Sequence, residues 1–186
     1  MKKVLLLHVM LIVGIAIHAQ EDLLSNGIYE KKVVVTADSV KASTLYVRAL
    51  EALSDWAGSQ QRSKVNVDVQ DKDEGLVVYK GQLYLGYGKQ NFMYGWDTFA
   101  DFTMKVRCKD GKAQITVTAP SLSYYWTADN TTVTVPINEV LPQYNYKGKM
   151  LIKKASIALA PKVPEEIDKI IKIIGDRICK SNDDDF

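Results

Sequence analysis

Asp110-Gly111 stands between two runs in which apolar and polar residues alternate, and that pattern narrows the fold more than any other feature of the chain. Before it, Phe102, Met104, Val106 and Cys108 alternate with Thr103, Lys105, Arg107 and Lys109. After it, Ala113, Ile115, Val117 and Ala119 alternate with Lys112, Gln114, Thr116 and Thr118. An Asp-Gly pair accepts the left-handed backbone of a two-residue hairpin turn, and a period of two sends each apolar set to one side of the pleat. Residues 102–109 and 112–119 are therefore predicted as paired strands of an antiparallel sheet with one covered and one polar face.

Such a sheet needs a cover, and two segments have the spacing to supply it. A β-branched strand at 29–36, with Val33 and Val35 on one face, precedes Asp38 and Ser39, either of which suits a helix N-cap. The helix that follows carries Leu45, Tyr46, Ala49, Leu50, Leu53, Trp56 and Ala57 on one side and ends near Gly58. A second helix opens at Pro164-Glu165-Glu166, where proline and early carboxylates suit the first turn, and displays Ile167, Ile170, Ile171, Ile174 and Ile178. Between the helices, 64–70 alternates with Val65, Val67 and Val69 inward, 71–75 is a charged turn, and 76–85 is apolar on both faces with a bend at Gly81. The stretch 120–161 is irregular, although 131–137 alternates enough to form an extra strand. The expected order is strand, helix, four strands, helix, in one domain spanning 28–180 with a disordered acidic tail at 181–186.

The first nineteen residues have a different character. Lys2 and Lys3 precede an apolar run from Val4 to Ile17, and Ala19 ends it before a polar leader at 20–27. This is the pattern of a cleaved export signal at 1–19, too short for a membrane span of about 20 apolar residues. Both histidines, His8 and His18, lie inside it, so cleavage leaves a chain without histidine. Serine–histidine and cysteine–histidine nucleophile pairs, imidazole acid–base chemistry and histidine metal sites are then excluded together. Removing Lys2 and Lys3 from the 24 basic residues leaves 22, equal to the 22 acidic ones. That balance offers no concentrated basic surface of the kind nucleic acid requires. No cysteine ends the apolar run, which argues against a lipid anchor.

Three phrases carry a resemblance: Thr44-Leu45-Tyr46-Val47-Arg48-Ala49-Leu50, then Val67-Asp68-Val69-Gln70-Asp71-Lys72-Asp73-Glu74-Gly75, and Val106-Arg107-Cys108-Lys109-Asp110-Gly111-Lys112. Together they resemble a family of exported bacterial domains of unknown function with a TATA-box-binding-protein-like fold, common in Bacteroidetes-type genomes. The resemblance covers 29–178 and implies an α+β fold, an antiparallel sheet with two helices packed on one face. It implies export to the periplasm or cell surface of a Gram-negative bacterium, and it brings no established catalytic or binding residues. The chain departs from the family pattern in the aromatic-rich stretch 84–99.

Two sets of residues remain candidates for function. Tyr84, Tyr87, Phe92, Tyr94, Trp96 and Phe99 in one segment and the run Tyr124-Tyr125-Trp126 in another are expected on loops, where rings, Trp96 and residues 124–126 foremost, form low-entropy platforms for sugars or protein partners; the same rings could instead fill the core. Cys108 and Cys179 could pair in an oxidising compartment, yet the strand phase of Cys108 suits a buried free thiol equally well. Asp71, Asp73 and Glu74 lack the further oxygen ligands of a calcium loop and read as a turn. Lys105, Arg107 and Lys109 share the open face, as an anion site or as plain solubilising charge. The expected function is a non-catalytic binding or accessory module of the bacterial envelope, contacting a glycan, peptide or envelope protein as a monomer or weak homodimer. No cofactor, metal or nucleic acid enters that reading. Its rivals are self-association through the open sheet face and an enzyme working with carboxylates and tyrosines alone.

Overall fold

The computed structural model describes residues 18–25, 27–60, 62–89, 95–126, 128, 130–141 and 152–180. Residues 1–17, which hold the apolar run of the expected export signal, and residues 181–186, the expected acidic tail, lie outside the described residues. Among the described residues seven strands and four helices follow in the order β1 (His18–Ser25), β2 (Ile28–Thr36), α1 (Ala42–Ser59), β3 (Lys64–Asp71), β4 (Leu76–Lys89), β5 (Gly95–Lys109), β6 (Lys112–Trp126), β7 (Thr131–Pro136), α2 (Ile137–Val140), α3 (Lys153–Leu159) and α4 (Lys162–Cys179). The strands form one antiparallel sheet in the order β1-β2-β6-β5-β4-β3. β2 pairs with residues 112–119 of β6, and β7 pairs with residues 121–126 beyond them.

The hairpin that anchors the sequence reading forms with Lys109 opposite Lys112 and Gly111 at φ +73°, a conformation a side chain rarely adopts. Alternation then does what its period requires. Val33 and Val35 of β2, Val77, Tyr79 and Leu83 of β4, Met104 and Val106 of β5 and Ile115 and Val117 of β6 are all buried. Leu45, Leu53 and Trp56 of α1 meet them, as do Ile167, Ile170, Ile171, Ile174 and Ile178 of α4. Burying each such side chain contributes about 1.5–3 kcal/mol before entropy is counted. α3 joins this layer at Gly88, where a Cβ would stand 2.6 Å from that of Ala155.

Several expectations are corrected. The polar leader, expected to precede the domain, carries a strand of its sheet: Gln20–Ser25 belongs to β1, which pairs with β2 from His18 opposite Val34 to Ser25 opposite Ile28. Val67 and Val69 are 45% and 40% exposed rather than inward. β3 is an edge strand, and a register shift between Val67 and Val69 turns Val69 to the other face. The irregularity in β4 falls between Tyr84 and Gly86 rather than at Gly81. The extra strand ends at Pro136, and the irregular stretch also holds α2 and α3.

Neither Asp38 nor Ser39 caps α1, which begins at Ala42 without a local side-chain cap. The Ala42 amide instead donates to Asp110 Oδ1 at 2.8 Å, from the hairpin tip. Ala37 N donates to Gly111 O and Gly111 N to Val40 O, both at 2.9 Å, so the tip clasps the β2–α1 connection.

Cys108 and Cys179 are both free. Cys179 Sγ sits 3.4 Å from Thr36 O, whereas Cys108 lies two strands away on β5. Two strand spacings are about 10 Å, more than the Cα separation of a disulfide. Burial pushes the Cys108 thiol up to about 11, which suits a small apolar side chain rather than a nucleophile.

Candidate functional site

Among the described residues no helix covers the second face of the sheet, and its side chains divide into two ends. At the upper end, the period of two along β5 sets Asp97, Phe99 and Asp101 on this face. Arg62, between α1 and β3, donates to Tyr84 Oη at 2.7 Å and to Asp97 Oδ1 at 3.3 Å. The Tyr84 hydroxyl donates to the same Oδ1 at 2.9 Å, and the guanidinium carbon lies 4.9 Å from the Tyr84 ring centroid. Tyr84 leans on Phe99 with centroids 5.3 Å apart. Its phenol is raised above the ordinary range, first by burial and then by Asp97, with Arg62 pulling the other way.

Deeper in the same end, Asp101 accepts three neutral donors. Gln82 Nε2 reaches Oδ1 at 2.8 Å, while the Ser121 and Ser123 hydroxyls reach Oδ2 at 2.7 and 2.9 Å. Ser123 Oγ also lies 3.2 Å from Thr134 Oγ1, tying β7 into the network. Arg62, Gln82, Asp97, Phe99, Ser123 and Tyr125 line a concavity of ≈ 400 Å³. Rings whose positions are fixed by such bonds, beside carboxylate, amide and guanidinium groups, suit a polar ligand with an apolar face.

The lower end is built differently. Lys32, Thr116 and Lys105 lie side by side across β2, β6 and β5, followed two residues on by Val34, Gln114 and Arg107 and then by Thr36, Lys112 and Lys109. Glu30 is 3.5 Å from Lys32. A depression of ≈ 310 Å³ runs over Lys105, Arg107, Gln114 and Thr116. A second of ≈ 280 Å³ continues over Arg107, Lys109 and Lys112.

The four aromatic candidates do not form a loop platform. β5 and β6 continue as strands through them, and the strand period deals them to opposite faces. Trp96 and Tyr124 are buried on the helix side at 4% and 0% exposure. Trp126 is half-buried beside Trp96, with ring centroids 6.1 Å apart. Tyr125 alone of the four faces the open concavity, its hydroxyl donating to Asn130 Oδ1 at 2.5 Å. Phe92 and Tyr94 lie outside the described residues. Sequence reasoning singled out Tyr84 and Phe99 but expected them on a loop rather than on β4 and β5, and it missed Arg62, Asp97 and Asp101; extending the alternation of 102–109 back to Asp97 places Asp97, Phe99 and Asp101 on one face. Among the described residues no three His, Cys, Asp or Glu converge as metal ligands, and no helix is long and apolar enough to cross a membrane.

Residues 32–123 match the model of a family described as a domain of unknown function (DUF4468) with TBP-like fold. Among curated proteins no sequence matches. The crystal structure of a DUF4468 family protein from Bacteroides ovatus is similar with a TM-score of 0.63 at 11% identity, over 87% of this chain and 92% of that one. A TBP-like protein from Parabacteroides distasonis is similar with a TM-score of 0.55 at 13% identity, over 82% of this chain and 96% of that one. At these identities the likeness is one of fold.

Proposed function

Because residues 32–123 make this chain a member of the DUF4468 family of TBP-like domains, what it inherits is a fold and not an activity, and we propose that it is a non-catalytic, exported accessory module that holds a glycan on the upper end of its open sheet face. The observation that carries this reading is the ≈ 400 Å³ concavity in which Phe99 and Tyr125 lie among Arg62, Asp97, Gln82 and Ser123. Sugar rings offer apolar C–H faces to aromatic rings and hydroxyls to paired acceptors and donors. Arg62, Tyr84 and Asp97 already hold one another, so binding orders little that is not already ordered.

Export rests on the residues of the N-terminus: the Lys2-Lys3 pair, the apolar run and Ala19. Cleavage after Ala19 leaves Gln20–Ser25 on the sheet edge, so the cut trims β1 without removing it. Mass spectrometry of the protein from its native host is expected to give a start near Gln20; an intact Met1 terminus in the cytosol would remove the envelope from the proposal.

A glycan array tests the site. Binding is expected, with Phe99→Ala and Tyr125→Ala each losing about tenfold in affinity, as anchor rings do, while Trp126→Ala retains it. No retained glycan, together with a dimer mass by light scattering, would instead favour self-association through this face.

A further inference from the structure

The lower end of the open face carries a second site that the glycan reading does not use. We propose that it binds a linear acidic polysaccharide. Three features of the geometry point there. First, among the described residues Lys105, Arg107, Lys109 and Lys112 make no ion pair, in contrast to Lys80, which is held by Asp68 at 2.9 Å, and Lys31, held by Asp168. Among the described residues Glu30 is the carboxylate that lines this depression, and it stands 3.5 Å from Lys32 rather than beside these four cations.

Second, Lys109 and Lys112 face each other directly across the hairpin. Like charges in that position oppose pairing, so the arrangement is unfavourable until an anion sits between or above them. Third, the cations are spread out. Lys32 and Lys105 flank Thr116, Arg107 follows beside Gln114, and Lys109 and Lys112 form the last row. Alternate residues of a strand stand about 6.7 Å apart, so three rows extend over about 13 Å. One small anion reaches a single row; a polymer with regularly spaced carboxylates or sulfates reaches all three.

The groups between the cations select among polymers. Thr103, Thr116, Thr118 and Gln114 line the depression and can exchange hydrogen bonds with sugar hydroxyls. Tyr84, Phe99 and Tyr125 all belong to the upper end, and among the described residues no ring on which a nucleic-acid base could stack lines the lower depressions.

The test uses the full chain with four immobilised probes: polygalacturonate, heparin, neutral dextran and single-stranded DNA. Polygalacturonate and heparin are expected to bind and dextran not to, with affinity falling steeply from about 50 to about 200 mM salt as released counterions dictate. The double variant Arg107→Gln/Lys109→Gln is expected to lose at least about tenfold and to flatten that salt dependence. Lys172→Gln, exposed on α4 on the opposite side of the sheet, is expected to bind as the parent does. Equal binding of dextran, unchanged affinity in the double variant, or tighter binding of single-stranded DNA than of both acidic polysaccharides would overturn the proposal. The glycan reading stands or falls separately, on Phe99→Ala and Tyr125→Ala.

Discussion

At the upper end of the open face, each polar side chain leans on another. Asp101 is held by an amide and two hydroxyls, and Asp97 by a guanidinium and a phenol. At the lower end, on the same strands and the same face, Lys105, Arg107, Lys109 and Lys112 make no ion pair among the described residues. Alternation put both groups on this face, but it does not dictate how they are satisfied. A self-satisfied cluster is rigid and recognises by shape, and its internal bonds add to stability. An unsatisfied one recognises through its field, responds to salt, and costs some stability when empty. A single sheet face thus carries two modes of recognition, separated along its strands rather than across them.

Substitutions can break that contrast. The largest effect is expected from Asp101→Ala, which strands three donors in a half-buried position and is expected to cost about 2 kcal/mol in urea unfolding. A loss below about 0.5 kcal/mol would mean that solvent satisfies those donors as well as Asp101 does. Tyr84→Phe acts at high pH. The folded phenol is raised above its unfolded value, so its contribution is complete below about pH 10 and is lost as pH rises through the folded value. The Phe variant is expected to lose less stability above about pH 10 than the parent, measured as thermal midpoint against pH; parallel curves would show that Tyr84 titrates freely.

At the lower end the signs reverse. Lys112→Gln relieves the charge opposite Lys109 and is expected to raise stability by up to about 0.5 kcal/mol, a gain that fades with added salt. A clear destabilisation would place an anion or carboxylate there. Smallest of all, Thr116→Asp sets an acid between Lys32 and Lys105, and its attraction is expected to offset poorer strand propensity to within about 0.5 kcal/mol.

The face division was legible wherever one side of a strand is dry and the other wet. Residues 102–109 and 112–119 meet that condition, and so do the isoleucines of α4. It failed where both sides carry rings. Trp96 and Phe99 point to opposite faces of β5, so the period of two is invisible in hydropathy and the segment resembles a loop. β3 alternates correctly in sequence, but an edge strand outside the helical cover leaves Val67 and Val69 exposed whatever their period. β1 did announce itself: Asn26-Gly27 is as good a hairpin signal as Asp110-Gly111, with Gly27 at φ +79°, and the long apolar run beside it obscured that signal. The Arg62–Tyr84–Asp97 contact joins positions 22 and 35 residues apart, which no local pattern encodes.

The hairpin tip has a consequence for the order in which the chain acquires structure. α1 has no side-chain cap of its own and no acidic residue in its first turn, so the costly first turn of a helix is weakly supported from within. Its support is Asp110, 68 residues further along. A chain growing from its N-terminus therefore releases the α1 segment long before the group that holds its first turn exists. The first turn of α1 thus gains its anchoring bond only once the β5–β6 hairpin has closed, and stability of the helix start is tied to the integrity of that distant turn.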